Sequence, residues 1–398
     1  MSMPAQSARI AIIGVSGYGK IHLQLARAGQ ERGEARITAA TIINPRDEVA
    51  TMAELGGHGC EIFTDYQEML REHAGRIDLC LIPTGIHWHA RMTMAALEAG
   101  ANVLVEKPLA GSLAEAAEIR RTEQRTGRFV AVGFQDIYDP ATNWLKEELQ
   151  RGVIGEISSV RFLGIWPRPR SYYARNNWAG RLRVDGAPVL DSPLNNAFAH
   201  FVMLSLFYAE ATLPVASPSL ESVELWRAHA IESFDTAVVR SRTAAGVKLW
   251  FGASHACGEA IEPEIVITGR TGQAGWRYET VAWWRATNGG TDSRPLQDIT
   301  GARNAMFNAA LQRLGNPATR IATTELAAGH TAMIESIHAQ GTIHSTPLAS
   351  ISWAGAKGDN SALPNVQGLA EALRCSYAAE QTLAASGFSY ADPIASYA

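Results

Sequence analysis

The chain lacks the features that direct a protein to a membrane or a nucleic acid. Its 398 residues contain no apolar run near the ~20 residues that cross a bilayer. The N-terminus has no basic region followed by a long apolar one, so no signal peptide is predicted. The net charge of −4 argues against nucleic acid or an anionic membrane as a partner. We therefore expect a cytoplasmic protein.

Cysteine is scarce, and no two cysteines are spaced as Cys-x-x-Cys. This pattern indicates buried thiols in a reducing compartment rather than disulfides, and the four residues are Cys60, Cys80, Cys257 and Cys375. No metal site is predicted, because zinc takes three or four protein ligands. His87 and His89 have no further ligand near them in the sequence.

No internal repeat, low-complexity tract or Gly/Ser/Pro linker divides the chain. Its length nevertheless exceeds the usual single-domain core, so two domains are expected. Parallel-sheet units give way to strand-rich sequence near Gly133. This change predicts a first domain over residues 1–133 and a second over 134–398, joined stiffly, with the C-terminal helix able to pack back on the first.

The predicted fold class is α/β. Apolar runs separated by helical segments predict a parallel sheet in the first half, with strands at Ala8–Ile13, Ile37–Ile43, Glu61–Tyr66, Leu79–Ile82, Asn102–Val105 and Phe129–Gln135. Alternating strands in the second half predict a large, open, mostly antiparallel sheet, with strands at 156–166, 222–229, 236–242, 247–254, 264–269 and 280–284. Two helices are predicted near 325–340 and 366–384.

A glycine turn follows the first predicted strand and precedes a helix. Backbone N–H groups of such a turn can meet a pyrophosphate at the helix N-terminus; the candidate residues are Gly14, Val15, Ser16, Gly17, Tyr18 and Gly19. Ser16 stands at the second position of G-x-G-x-x-G, where its side chain would crowd the approach to phosphate. An ordinary strand-to-helix turn is the alternative.

The end of the second predicted strand bears on the choice of cofactor. A dinucleotide fold usually has an acid there, which binds the ribose hydroxyls. This chain has Asn44, and Arg46 lies close by. A neutral residue with a nearby arginine favours a 2′-phosphate and hence NADP. Asp47 can still reach the ribose, so NAD stays open, and Arg46 as a solvated loop residue is an equal alternative.

The triplet Glu106-Lys107-Pro108 follows a buried strand. Ligands of open parallel sheets lie just outside such strand ends. A lysine held there beside a carboxylate can transfer a proton if its pKa is lowered. A surface ion pair at the strand exit is the alternative.

The segment Trp166–Trp178, called the polar segment below, is rich in Arg, Tyr, Asn and Trp and poor in aliphatic residues. Such a composition suits a sugar pocket, and the predicted substrate ligands are Arg168, Tyr173, Asn177 and Trp178. Further on, Ser192-Pro193 predicts the start of a helix that runs to about Tyr208. Asn196 and His200 would share one face of that helix.

With the glycine turn, the Pro83–His89 loop and the Glu106-Lys107-Pro108 triplet in this order, the chain resembles the Gfo/Idh/MocA family of nicotinamide-dependent sugar and cyclitol oxidoreductases. The resemblance is densest from Ala8 to Val160. It implies an N-terminal Rossmann domain, NAD or NADP as cofactor, and a homodimer or homotetramer. It also implies that further cofactor contacts come from Pro83, Thr84, His87, His89, Glu106, Lys107 and Gln135.

By the same resemblance, Lys107 transfers the proton, and Asp191 supports a histidine four residues later. That later position is Asn195, which cannot accept a proton at neutral pH. His200 either replaces the histidine or is a packed helix residue, and in the second case Lys107 is the sole general base. Asn195, Asn196 and His200 are expected to orient the substrate during hydride transfer between nicotinamide and a secondary alcohol.

Two other classes of protein stay open. One is a glycoside hydrolase of this fold, which oxidises a sugar transiently and returns the hydride to it. The other is a non-catalytic dinucleotide-binding regulator. Loss of the usual histidine favours the regulator, and retention of Lys107 and Asp191 disfavours it.

Overall fold

A computed structural model describes residues 7–210, 218–355 and 359–389. The chain divides into two compact units, formed by described residues of Met1–Asp139 with Ile299–Ala328, and of Pro140–Asp298 with Gly329–Ala398. This division differs from the predicted domains, because the first unit passes Gly133 and takes back a distant segment. A backbone bond ties that segment to the sheet of the first unit: the Val132 N–H donates to the Ala322 carbonyl at 2.8 Å.

A six-stranded parallel sheet forms the first unit. Its strands lie in the order β3-β2-β1-β4-β5-β6 and are β1 (Ala8–Ile13), β2 (Ala35–Thr41), β3 (Glu61–Phe63), β4 (Leu79–Ile82), β5 (Asn102–Val105) and β6 (Val130–Val132). Its helices are α1 (Gly19–Glu31), α2 (Val49–Gly57), α3 (Tyr66–Glu72), α4 (Ile86–Glu98), α5 (Leu113–Thr126) and, ninth in chain order, α9 (Ile299–Gly315).

The apolar runs form the centre of this sheet, as predicted. All four residues of β4 are 0% exposed, which is typical of a strand covered by helices on both faces. The strand order reverses between β1 and β4. A crevice for ligands forms outside the carboxyl ends of strands at such a reversal, so the ends of β1, β4 and β5 are where a cofactor is expected.

Helix α9 was not predicted, and it packs on α1. Met306 and Phe307 are each 1% exposed. A Cβ added to Gly29 of α1 would lie 2.9 Å from the Phe307 ring, so glycine at this position allows the close approach of the two helices.

A nine-stranded sheet dominates the second unit, in the order β16-β15-β14-β13-β7-β12-β11-β10-β17. Its strands are β7 (Ile157–Ile165), β10 (Ser219–Arg227), β11 (Thr236–Arg242), β12 (Lys248–Ser254), β13 (Ile261–Gly269), β14 (Gly272–Arg277), β15 (Val281–Ala286), β16 (Thr291–Pro295) and β17 (Ile343–Ser345). Neighbours are antiparallel except β7 with β12 and β10 with β17.

Two short antiparallel pairs and five helices complete the described elements. The pairs are β8 (Arg183–Val184) with β9 (Ala187–Pro188) and β18 (Ile351–Ala354) with β19 (Leu363–Val366). The helices are α6 (Pro140–Gln150), α7 (Arg170–Ala174), α8 (Ala199–Ala209), α10 (Thr324–Gln340) and α11 (Leu369–Ala379). Within the described ranges, none of the helices is long and apolar enough to span a membrane.

The centre of the large sheet is covered on both faces. Phe162 of β7 packs against Phe198 and Phe201, at ring-centroid distances of 5.8 and 5.7 Å. Its neighbour Leu163 joins a core cluster with Leu373 of α11. Successive residues of a strand point to opposite faces, so both faces of β7 are covered.

The elements that differ from the sequence expectation include two strands of the large sheet and the starts of two helices. The strands β14 and β16 were not predicted, because neither shows an apolar pattern. β14 contains Gly275, where a Cβ would lie 2.6 Å from the Trp283 side chain. β16 is entirely exposed. α8 begins at Ala199 rather than at Ser192, because residues 193–198 form turns. Val366 ends β19, so the last helix starts later than predicted.

Candidate functional site

The glycine turn closes tightly between β1 and α1. Gly14 and Gly17 have φ of +92° and +55°, the left-handed region that glycine adopts without strain. A Cβ on Gly19 would lie 2.5 Å from the Gly14 carbonyl oxygen, so a side chain there would open the turn. The N-terminus of α1 therefore follows directly after β1, which is the arrangement that binds a pyrophosphate.

Ser16 is accommodated by the loop after β2. Its hydroxyl lies 3.1 Å from Asn44 Oδ1 and 2.8 Å from Glu48 Oε1, so one proton is shared between two acceptors. These contacts hold the Ser16 side chain against the β2 loop.

Glu48 was not identified from the sequence. Its second oxygen accepts from the Thr51 hydroxyl at 2.9 Å. The hydrogen bonds from Ser16 and Thr51 lower the pKa of Glu48 below its usual value, and the carboxylate precedes α2, whose positive end favours an anion. Asn44 is half-buried and Arg46 is exposed. The β2 loop thus presents an ionised carboxylate as well as the predicted Asn44 and Arg46.

Glu106 is buried, which excludes the solvated surface ion pair as its environment. It is 5% exposed, and its Oε1 lies 2.8 Å from Nε2 of His22 on α1. The other oxygen accepts from the Lys107 backbone N–H at 3.2 Å. Burial raises the pKa of Glu106, but the His22 hydrogen bond and the positive charge of Lys107 help to hold it below its usual value. Lys107 is half-buried.

His89 joins two loops at the carboxyl edge of the sheet. It lies in the first turn of α4 rather than in a loop, and His87 does too. Its Nδ1 is 2.6 Å from the Pro108 carbonyl oxygen and its Nε2 is 3.0 Å from that of Thr84. Burial lowers the pKa of His89, so at neutral pH the ring is neutral, carries one N–H and donates to only one of these two carbonyls. His89 therefore lies in contact with both the loop after β4 and the Glu106-Lys107-Pro108 triplet.

Pro83 and Thr84 lie against the glycine turn. A Cβ on Gly14 would be 3.7 Å from the Thr84 methyl carbon, and a Cβ on Gly19 would be 3.6 Å from Pro83 Cγ. The predicted cofactor residues after β1 and β4 are therefore brought together.

Gln135 carries a buried acceptor with no partner among the described residues. It lies in a 3₁₀ turn, Gln135–Tyr138, rather than at a strand end. Its Nε2 donates to Asp136 Oδ2 at 3.3 Å, while its Oε1 accepts no hydrogen bond from a described residue. Since buried polar atoms are normally paired, this oxygen, the tight glycine turn and the strand order fit a bound nicotinamide dinucleotide.

A cavity of about 920 Å³ in the first unit lies at the opposite edge of the sheet. Its lining includes Ala8, Asp78 and Asn102, which stand at the amino ends of β1, β4 and β5. Ligands of parallel sheets bind at the carboxyl ends, so this cavity is separate from the cofactor residues.

In the second unit, Asp191 is buried at the start of the turns before α8. It is 1% exposed. Its Oδ2 accepts from the Gly180 N–H at 2.6 Å and its Oδ1 from Asn196 Nδ2 at 2.9 Å. Asn196 lies in the turn and His200 in α8, so the two do not share a helical face as predicted, although Asp191 and Asn196 are in contact.

The side chain of Asn195 forms hydrogen bonds with the backbone of the preceding residues. It is 2% exposed, and its amide donates to the Val189 and Leu190 carbonyls at 3.0 and 3.1 Å. Leu190 has a φ of +49°, a strained conformation that these bonds support. His200 is 8% exposed in α8.

Tyr173 belongs to a buried network that the sequence did not reveal. Its hydroxyl is 2.9 Å from His255 Nδ1, and its ring packs on His229 at 4.7 Å. His229 Nδ1 is 2.7 Å from Asp235 Oδ2. Burial, with the nearby charge of Arg168, holds the pKa of His255 well below its usual value. Among the residues described, no three His, Cys, Asp or Glu side chains group as metal ligands.

The other predicted substrate residues lie at or near the surface. Arg168 and Trp178 are half-buried and Asn177 is exposed. Arg175, which was not predicted, has its guanidinium 3.7 Å from the Tyr172 ring centre and 5.3 Å from that of Trp178.

Among known proteins, a family model matches part of the first unit. Residues 8–134 match the family model GFO_IDH_MocA, described as an oxidoreductase family with an NAD-binding Rossmann fold. The chain is 29% identical over 160 residues to the inositol 2-dehydrogenase of Corynebacterium glutamicum strain R, covering 40% of this chain and 46% of that protein. For the inositol 2-dehydrogenase of Klebsiella pneumoniae strain 342, the identity is 33% over 150 residues, covering 37% and 43%. The chain thus spans less than half the length of these curated relatives.

Solved structures share the fold over most of the chain. The WlbA dehydrogenase of Bordetella pertussis, in complex with NADH and UDP-GlcNAcA, has a TM-score of 0.65 at 20% identity, covering 84% of this chain and 97% of that one. The 3-ketoreductase KijD10 of Actinomadura kijaniata, with NADP and TDP-benzene, has a TM-score of 0.67 at 17% identity, covering 86% and 100%. At these identities the likeness shows the fold alone.

Proposed function

We propose that this chain, which belongs to the Gfo/Idh/MocA oxidoreductase family, transfers a hydride between a nicotinamide cofactor and a secondary alcohol of a sugar, cyclitol or related polyol. The observation that carries the proposal is the position of Lys107. It follows β5 at the carboxyl edge of the sheet, next to the buried Glu106, and the glycine turn follows β1 at the same edge.

Residues of the first unit would hold the cofactor. The turn from Gly14 to Gly19 would bind the pyrophosphate through backbone N–H groups, and Gln135 Oε1 would accept a hydrogen bond in its buried position. When bound, the nicotinamide supplies the acceptor or donor of the hydride. In the direction of alcohol oxidation, Lys107 Nζ would take the hydroxyl proton, and in reduction it would return it.

For the cofactor we propose NAD rather than NADP. Asn44 and Arg46, taken alone, favour NADP. Glu48 opposes it, because an ionised carboxylate in the β2 loop repels a 2′-phosphate and can accept hydrogen bonds from ribose hydroxyls.

For the second unit, we propose that the substrate meets polar groups around Asp191, including Asn196, with His200 as a further candidate. Asn195 is the least suited to proton transfer, since its amide already serves two backbone carbonyls. The chain is further proposed to act as a homodimer or homotetramer, which light scattering on the purified protein measures directly.

The test is a screen of sugars, inositols and sugar acids with NAD and NADP, following the absorbance of the reduced nicotinamide. With a substrate in hand, Lys107→Ala should lower kcat by roughly 10²–10⁴-fold, the usual worth of general acid–base catalysis, with little change in cofactor affinity. Lys248→Ala is the matched control, because Lys248 is an exposed lysine on β12 and its loss should leave kcat unchanged.

Three results would contradict the proposal. A Lys107→Ala enzyme with near-parental turnover removes the mechanism. Cleavage of a glycoside with NAD recovered unchanged indicates the hydrolase. Tight NAD binding without turnover of any compound in the screen indicates a regulatory protein.

A further inference from the structure

Three arginines of the polar segment have no acidic partner in the part of the chain that the structure describes. Arg168, Arg170 and Arg175 have no carboxylate within the 4.0 Å of an ion pair among the residues described. Their neighbour Arg181, by contrast, pairs with Glu232 at 2.9 Å. A short stretch of the second unit therefore carries three positive charges that no described acid neutralises at contact distance.

Aromatic rings hold these guanidinium groups in place. Arg168 and Arg175 both lie against Tyr172, at 4.9 and 3.7 Å from the ring centre, and Arg170 lies 3.8 Å from that of Trp353. Such stacking fixes the position of a guanidinium without using its N–H donors.

Most of the donors on these groups are unused by described residues. A guanidinium has five N–H donors. Arg168 makes no side-chain hydrogen bond within the described ranges, and its Nε is buried. Arg175 donates to the Tyr172 carbonyl. Arg168 is half-buried while Arg175 is exposed, so donors are both fixed in position and reachable from solvent.

No described titratable group forms an ion pair with either of the two arginines that share Tyr172. His255, which lies near both, has its pKa held well below its usual value by burial and by their charge, so it is neutral. The charge of Asp191 also acts on Tyr172, but the Asp191 oxygens accept from Gly180 and Asn196 rather than from either guanidinium. Two cations on one ring repel each other, and an anion bound between their donors would remove that repulsion.

We propose that Arg168 and Arg175, positioned by Tyr172, bind an anionic group of the substrate, so that the polyol oxidised by this enzyme carries a carboxylate or a phosphate. Planar guanidinium forks match both groups and bind them with paired hydrogen bonds. The inference rests on the proposed function, because it names the chemical class of that reaction's substrate.

The experiment compares matched compounds on the NAD-loaded enzyme: glucose, glucuronate and glucose 6-phosphate, and likewise galactose and galacturonate. An anionic member should have the higher kcat/KM. Arg175→Gln should raise its KM by about 10- to 100-fold, the worth of a charge-assisted hydrogen bond, while kcat changes little. Added salt should raise the same KM. A preference for the sugar acid or for the sugar phosphate distinguishes the two anions.

Arg285→Gln is the matched control, since Arg285 is also an exposed arginine near an aromatic ring, at 5.6 Å from Trp283. Equal kcat/KM for neutral and anionic members, or an equal rise in KM in both variants, overturns the anion site and leaves the hydride-transfer proposal standing.

If no compound is oxidised, a binding measurement still tests the anion site separately from the hydride-transfer proposal. Calorimetry of the NAD-loaded protein with glucuronate and with inorganic phosphate then tests the arginines alone. Binding that is lost in Arg175→Gln and kept in Arg285→Gln supports the anion site even though the proposed function has failed. No binding, or binding unchanged in Arg175→Gln, overturns it.

Discussion

Replacing Glu48 by glutamine tests the choice of cofactor with little change of shape. The variant keeps an oxygen acceptor and adds an amide donor, so the hydroxyls of Ser16 and Thr51, which contact the carboxylate at 2.8 and 2.9 Å, can reorient to satisfy it. The substitution removes one negative charge from the β2 loop, because the Glu48 carboxylate is ionised at neutral pH.

The size of the effect follows from electrostatics. Two unit charges 4 Å apart interact by ~1 kcal/mol in water and ~4 kcal/mol at an effective dielectric of about 20. A 2′-phosphate carries about two charges near neutral pH, but solvent and salt around a loop screen the interaction. We expect ~1–3 kcal/mol, so the ratio of the Kd for NADPH to the Kd for NADH should fall by about 5- to 150-fold.

Fluorescence titration with NADH and NADPH measures both dissociation constants on the parent, Glu48→Gln and Arg46→Ala. If Arg46 instead binds the 2′-phosphate, Arg46→Ala should weaken NADPH far more than NADH, by the ~1.5–3 kcal/mol of a charge-assisted bond. An unchanged ratio in Glu48→Gln together with a selective loss of NADPH in Arg46→Ala would refute the assignment of Glu48.

Three further outcomes are expected from buried groups. His22→Ala leaves Glu106 buried without its hydrogen-bond partner, so the free energy of unfolding in urea should fall by about 3 kcal/mol. Adding Glu106→Gln to this variant should restore part of the lost stability. A fall below 0.5 kcal/mol would contradict a stabilising interaction between His22 and Glu106. Because folding lowers the pKa of Glu106, its stabilisation is present above the unfolded pKa of ~4.3 and is lost as pH falls through the folded pKa; the acid limb of stability should therefore be shallower in Glu106→Gln. In the native protein, a thiol reagent should label the exposed Cys375 first, since the other three thiols are buried with their pKa raised to about 12.

The fold was predictable where burial leaves a continuous signal in the chain. The strand over Leu79–Ile82 is apolar at every position because helices cover both faces of the parallel sheet, and its predicted bounds are confirmed. The exposed edge strand β16 has no such constraint. Its polar sequence resembles a loop.

The candidate site was predictable where its chemistry lies within one short motif. The Glu106-Lys107-Pro108 triplet is contiguous, so its placement after β5 could be inferred. Glu48 and His22 could not, because their partners stand 32 and 84 residues away in the chain. Asn195 was identified from the sequence, but its role was not, since only the turn geometry shows that its amide donates to backbone carbonyls.

Because α9 belongs to the first unit, this unit cannot be completed on the ribosome until α9 has been translated. Residues 1–139 emerge first, but the face of α1 around Gly29 has no cover until Phe307 has been made, and all of residues 140–298 must be translated in between. At the usual rate of about 5–20 residues per second, that interval lasts on the order of ten seconds. The nascent N-terminal part would spend it as an incomplete fold with an open apolar groove, a state in which chaperones bind. A gene fragment ending at residue 139 would remain in that state permanently.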